Sequence, residues 1–187
     1  MKGNDLKSFL IIKFMAVYVL KLGHRIHRDY RLDTHLALAA RALLADKLYY
    51  SGQKDSKFED NINKVSKKFG GSFCVEYISN HLNFIKHFNG KKVHLTMYGI
   101  EIKNKIKELK QFDELLIIVG GEKVPPNIYQ ISDYNISVTN QPHSEVSALA
   151  LFLDKYFEDK RINNNFGNPN ILIVPNEKGK TVIKSKQ

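Results

Sequence analysis

Apolar positions along the chain switch repeatedly between a period of two and a helical period. Residues 16–22, 47–50, 73–77, 92–95, 115–119 and 134–138 are short runs rich in apolar, β-branched and aromatic side chains, and read as strands. Between most of them, residues 34–46, 57–69, 81–88, 101–111, 126–132 and 143–157 carry helical spacing. Strand and helix in turn predict an α/β fold, a mainly parallel sheet flanked by helices. The run LLIIVGG at 115–121 is continuously apolar, as expected of a strand covered on both faces. After residue 160 the pattern changes. NNNFGNPN reads as a loop, and ILIVPNEKGKTVIK as two short strands around a turn at 176–179. The expected division is an extension at 1–14, a main α/β domain at 15–160, and a short β-hairpin-like extension at 161–187. The last is too small to hold a core of its own. Residues 1–14 read as an extension rather than a signal peptide, since their apolar run is short and broken by Lys13, and Met15 is a candidate native start.

Composition narrows the function class. With 43% hydrophobic and 11% aromatic residues in 187, the chain can build a core, which excludes disorder. Lys plus Arg is 29 against 19 for Asp plus Glu, a net +10 that suits a polyanionic partner, nucleic acid being the commonest. General solubility is the plainer explanation of the same charge. Cys74 is the only cysteine, so an intrachain disulfide and a cysteine zinc cage are both excluded. No stretch of 18 apolar residues suggests a membrane span, so a cytoplasmic location is expected. G-x-x-x-x-G-K-[ST] and G-x-G-x-x-G are both missing, so any nucleotide-like cofactor is held in another way.

Three polar segments follow strands, where ligand loops of open α/β sheets lie. LGHRIHRDYRLDTH (22–35) reads as a strand-to-helix loop with Thr34 as N-cap of the next helix. It gathers His24, Arg25, Arg28 and Arg31, and clustered guanidiniums suit phosphates. A solvated charged loop is the alternative. A metal set of His24, His27 and His35 is disfavoured by the adjacent arginines. In the following helix Arg41 is the lone charge between His35 and Asp46. If buried, it must be paired or must face a polar cleft. VGGEKVPP (119–126) and TNQPHSEV (139–146) complete the set, and HLTMYG (94–99) also follows a strand. Each is also compatible with ordinary turn and cap chemistry.

LGHRIHRDYRLDTHLALAARA, VHLTMYG, IIVGGEKVP and NQPHSEVSALA, in that order, resemble the archaeal tRNA (cytidine-56) 2′-O-methyltransferases, over roughly residues 15–185. That family belongs to the SPOUT class, so the resemblance implies a C-terminal trefoil knot, a homodimer, S-adenosylmethionine as cofactor and tRNA as substrate. No metal and no membrane partner are implied. It places cofactor contacts on Leu95, on Gly120, Gly121, Glu122, Lys123 and Val124, and on Ile136, Ser137, Val138, Thr139, Asn140, Gln141, Pro142 and His143. It puts the reactive arginine of the class at Arg41. His24, Arg25, Arg28 and Arg31 are then expected to meet RNA. Departures from the family pattern are Gly121 for a common Ala, Thr139 for a common Gly, and Leu43-Leu44 for a frequent Phe-Gly after ARA. A non-catalytic RNA-binding protein of the same fold remains the alternative.

Overall fold

The computed structural model describes residues 15–121, 123–158 and 166–185. Its main sheet has six strands in the order β3-β2-β1-β5-β4-β6, and every recorded pairing is parallel. The strands are β1 (Ala16–His24), β2 (Lys47–Gly52), β3 (Cys74–Tyr77), β4 (Lys91–Glu101), β5 (Glu114–Val119) and β6 (Tyr134–Ser137). Alternation along β1 divides the core. Val17 and Val19 face α1 (Ile26–Ala42), α2 (Ser56–Phe69) and α6 (Glu145–Phe157). Leu20 and Leu22 face α3 (His81–His87) and α5 (Pro126–Ile131). Central β5 splits its apolar run between the two faces, with Leu115, Ile117 and Val119 on one and Leu116 and Ile118 on the other. A strand covered on both sides has no position for a polar residue, which is why LLIIV is unbroken. The expected hairpin is present as β7 (Ile171–Val174) paired antiparallel with β8 (Thr181–Lys184).

Three elements differ from the sequence expectation. Helix α1 begins at Ile26 rather than at 34, so most of the presumed loop is helical. Arg25 occupies the N-cap position, and Thr34 donates its hydroxyl back to the Tyr30 carbonyl at 2.7 Å instead of capping. The inward stripe of this helix includes Asp29 and Asp33 beside Leu36, Ala37 and Ala40. Two carboxylates at core-facing positions break the hydrophobic period, so the first turns carry no apolar signal. Strand β4 runs past 95 to Glu101, with an irregularity between Leu95 and Ile100 against β6. Residues 96–99 therefore leave the regular ladder without ending the strand. The helix expected at 101–111 is a 3-10 turn (Ile102–Asn104) and a single α-turn, α4 (Ile106–Leu109).

Leu44 adopts φ +71°. A left-handed leucine costs roughly 1–2 kcal/mol. Packing of its side chain against the core offsets that strain. The expectations about residues 1–14, Glu122 and residues 159–165 lie outside the described residues.

Candidate functional site

A cleft of about 380 Å³ opens at the carboxyl ends of β4 and β5, within the range of small-molecule sites. Its apolar lining comes from Leu95, Val119, Val124 and Ala148. Gly120, Gly121, Pro142, His143, Ser144 and the bulged residues Thr96–Tyr98 complete the walls. The polar turn before α6 shapes one wall, with Ser144 as N-cap accepting the Ser147 amide at 3.1 Å. His143 Nδ1 donates to the Gln141 carbonyl at 2.6 Å.

Of the residues expected at a cofactor, Leu95, Gly120, Gly121, Val124, Pro142 and His143 line this cleft, and Lys123 lines the adjoining cavity. Ile136 and Ser137 are buried in β6, and Val138 and Thr139 are half-buried behind the wall. Asn140 donates its amide to the Met97 carbonyl at 2.6 Å, tying the polar turn to the β4 bulge. Gly120 has a reason of its own to lack a side chain. A Cβ there would lie 2.4 Å from the Val124 Cγ2 methyl.

Two cleft residues escaped sequence reasoning. His94 is fully buried, and its Nδ1 lies 2.9 Å from Asn135 Oδ1. The Asn135 amide nitrogen donates to the Tyr129 carbonyl at 2.9 Å, which leaves Oδ1 as the acceptor. His94 therefore carries its hydrogen on Nδ1, and burial pushes its pKa down, so the ring is neutral. Its Nε2 is a buried acceptor with no partner among the described residues. Such an orphan is costly unless a ligand donor meets it.

Glu145 is the second. It lines both the cleft and a neighbouring cavity of about 750 Å³, and the two share Leu32, Gly120, Gly121 and Val124 as well. The second cavity is cationic. Arg25, Arg28, Lys123 and Lys21 line it, with His81 at its side. Arg25 is committed to Asp29, Nε to Oδ2 at 2.6 Å, and the same bond holds the Asp29 carboxyl below its usual range. Arg28 and Lys123 hold no ion pair among the described residues. Arg31 is exposed on α1 and lines neither cavity.

His24, expected to meet RNA, is instead fully buried. The chain turns at Gly23 (φ +72°), and the imidazole points inward, stacked on Phe58. Its Nδ1 lies 2.6 Å from Asp33 Oδ2 and its Nε2 3.4 Å from Asp55 Oδ2. Asp33 in turn lies 3.7 Å from Lys21 Nζ, and Lys21 Nζ lies 3.2 Å from Glu145 Oε2. A buried chain of polar and ionic contacts thus runs from α2 to the cleft. Burial raises the Glu145 pKa more than Lys21 lowers it, and the same balance raises that of Asp33.

Within a single chain Arg41 lines neither cavity. Arg41 follows Leu32 by nine residues on α1, roughly 180° around the helix and about 13 Å along it. Leu32 lines the cleft, while Arg41 points to the far side, where its Nη2 donates to the Gly70 carbonyl at 2.6 Å. Its guanidinium carbon stands 4.6 Å over the Phe166 ring, and only 7% of the residue is exposed. The demand that a buried guanidinium be paired is met here by a carbonyl and an aromatic face, not by a cleft.

Solved structures of SpoU and TrmH/SpoU RNA-modifying enzymes share this fold. The crystal structure of the SpoU methyltransferase AviRb from Streptomyces viridochromogenes, in complex with the cofactor AdoMet, superposes with a TM-score of 0.58 at 12% identity. The match covers 87% of this chain and 64% of that one. The family described as tRNA ribose 2′-O-methyltransferase, aTrm56, matches residues 69–183, and the chain belongs to it. The tRNA (cytidine(56)-2′-O)-methyltransferase of Methanocaldococcus jannaschii is 47% identical over 178 residues, 92% of this chain and 99% of the relative. The enzyme of the same name from Pyrococcus horikoshii is 44% identical over 172 residues, 90% of this chain and 85% of the relative.

Proposed function

We propose that this chain transfers a methyl group from S-adenosylmethionine to the ribose 2′-hydroxyl of cytidine-56 in tRNA. The observation that carries the reading is the junction of the two cavities. A cleft sized for a small cofactor shares Gly120, Gly121 and Glu145 with a cation-lined cavity suited to a nucleic-acid phosphate. S-adenosylmethionine, when bound, supplies an already electrophilic sulfonium methyl, so the transfer needs no metal. The protein's part is to hold donor and acceptor in line. His94 Nε2, the orphaned acceptor, suits a donor such as an adenine amino group. Backbone at Gly120 and Gly121 approaches the ligand closely because no side chain intervenes. Arg28 and Lys123 receive the phosphate.

The working form is a homodimer in the cytoplasm, where tRNA is modified. Exposed Leu32 (37%) and Leu38 (36%) on α1 and Leu151 (46%) on the adjacent α6 support an apolar two-fold face. No described helix is long and apolar enough to cross a membrane. The trefoil knot of the class is inferred from membership of the family. Arg41, placed at the reacting ribose by resemblance, is assigned instead to clamping α1 against the turn at Gly70.

The test is incorporation of a tritiated methyl group into a tRNA transcript. Incorporation is expected with cytidine at position 56 and none with 2′-deoxycytidine there. Binding of tRNA and cofactor without transfer would leave the non-catalytic RNA-binding reading.

A further inference from the structure

We infer that Glu145 is the group that takes the proton from the acceptor 2′-hydroxyl. The inference rests on the methyl-transfer reading above and assigns a role that reading leaves open. A secondary hydroxyl is a poor nucleophile until its proton is accepted or strongly hydrogen-bonded. The acceptor must stand where donor and nucleotide meet. Among the described residues, Glu145 is the only carboxylate lining both cavities. Asp29 lines the cationic cavity alone and is held by Arg25. Asp33 is 1% exposed and lines neither. His143 lines the cleft without reaching the second cavity.

The two oxygens of Glu145 are differently placed. Oε2 lies 3.2 Å from Lys21 Nζ. Oε1 lies 3.3 Å from the point where a side chain on Gly121 would begin, so it faces the shared wall. The glycine leaves that oxygen open. The side chain is 14% exposed, dry enough to strengthen its basicity and open enough to return a proton to water. Lys21 is itself anchored, donating to the Leu22 carbonyl at 2.8 Å. It keeps the buried carboxyl from becoming permanently protonated, while burial pulls the other way.

In the step, the ribose O–H bond breaks and its proton passes to Glu145 Oε1. The freed oxygen pair forms the bond to the methyl carbon. The carbon–sulfur bond breaks with its electrons left on sulfur, so a neutral thioether departs. Charge balances, because the cationic sulfonium and the carboxylate are both neutralised.

The decisive measurement is single-turnover transfer to tRNA as a function of pH, with cofactor and tRNA affinities measured separately. In the wild type the rate should fall on the acid side as Glu145 protonates, above the usual carboxylate range. Glu145→Gln should lose ~10²-fold or more in rate, the scale for a general base. It should also lose the acid limb, and bind S-adenosylmethionine and tRNA within ~3-fold of wild type. Glu145→Asp should keep the limb at a lower plateau. Lys21→Met should move the limb to higher pH, since the remaining neighbours Asp33 and Asp29 oppose ionisation while Arg28, Lys123 and His143 lie across the cavities. Carboxyl carbon-13 NMR on the cofactor-free protein should show one glutamate, absent in Glu145→Gln, titrating above the rest and higher still in Lys21→Met. An active wild type with Glu145→Gln within ~5-fold of it, or slowed with its acid limb intact, overturns the inference alone. Should Glu145→Gln fail to fold, a Glu145→Asp or Lys21→Met limb that matches wild type overturns it. A wild type that transfers nothing removes the methyl-transfer reading itself.

Discussion

Arg41→Ala separates a catalytic arginine from a structural clamp. The substitution removes the bond to the Gly70 carbonyl (2.6 Å) and the contact with Phe166 (4.6 Å). A charge-assisted hydrogen bond is worth about 1.5–3 kcal/mol, and a partly desolvated cation–π contact about 1 kcal/mol. Against these stands the burial of the guanidinium, which lowers its pKa and leaves Nε without a partner among the described residues. Releasing that orphan returns about 1–2 kcal/mol. The net expectation is a loss of about 2 kcal/mol, or roughly 4–8 °C in Tm for a chain of this size. Arg41→Met, which keeps the stem and removes the charge, should lose about half as much. Methyl transfer per folded molecule, measured well below the melting range, should stay within ~3-fold of wild type for both. Urea titration followed by circular dichroism gives the stability, and tritium incorporation at saturating cofactor and tRNA gives the activity. An Arg41→Ala protein stable to within ~0.5 kcal/mol of wild type but slower by ~10²-fold would refute the clamp and restore Arg41 to the reacting ribose.

Gly120→Val should weaken S-adenosylmethionine binding at least ~10-fold, because the new side chain meets the Val124 methyl and forces the cleft wall to move; unchanged affinity by calorimetry would place the cofactor elsewhere. Arg28→Ala and Lys123→Ala should each reduce the salt slope of tRNA binding by roughly one, whereas Arg25→Ala, already paired with Asp29, should change it less. Filter binding across roughly 50–300 mM salt checks the order, and equal slopes for all three would assign the cavity to solvent. Glu145→Gln should gain stability over wild type as pH rises from about 4.5, since a carboxyl with a raised folded pKa loses stability between its unfolded and folded values; urea midpoints at acid and neutral pH that differ equally for the two proteins would contradict it. Leu151→Glu should shift sedimentation from a dimer to a species near 21.5 kDa.

The alternation of strand and helix, the doubly covered β5 and the C-terminal hairpin were legible in the chain because each depends on local period and turn chemistry. The glycines after β5 and the polar turn before α6 were also legible as polar loops gathered at one edge of the sheet, since loops after parallel strands converge there. Periodicity could not show where α1 begins. Asp29 and Asp33 occupy inward positions, and their acceptability depends on Lys21, Arg25 and His24 being brought against them by folding. Nor could it show which way Arg41 points. Its burial follows from its leucine and alanine neighbours, but helical phase alone does not say which face of α1 meets the cleft and which meets Gly70. Glu145 reads in sequence as an ordinary acid in the first turn of a helix. Only the fold sets Lys21 behind it and Gly121 before it, and His94 is orphaned only because Asn135 occupies its other nitrogen. Local pattern determines which residues form elements and which loops are polar. The charge state and the partners of a buried group depend on chain-distant neighbours, and those are set by tertiary packing.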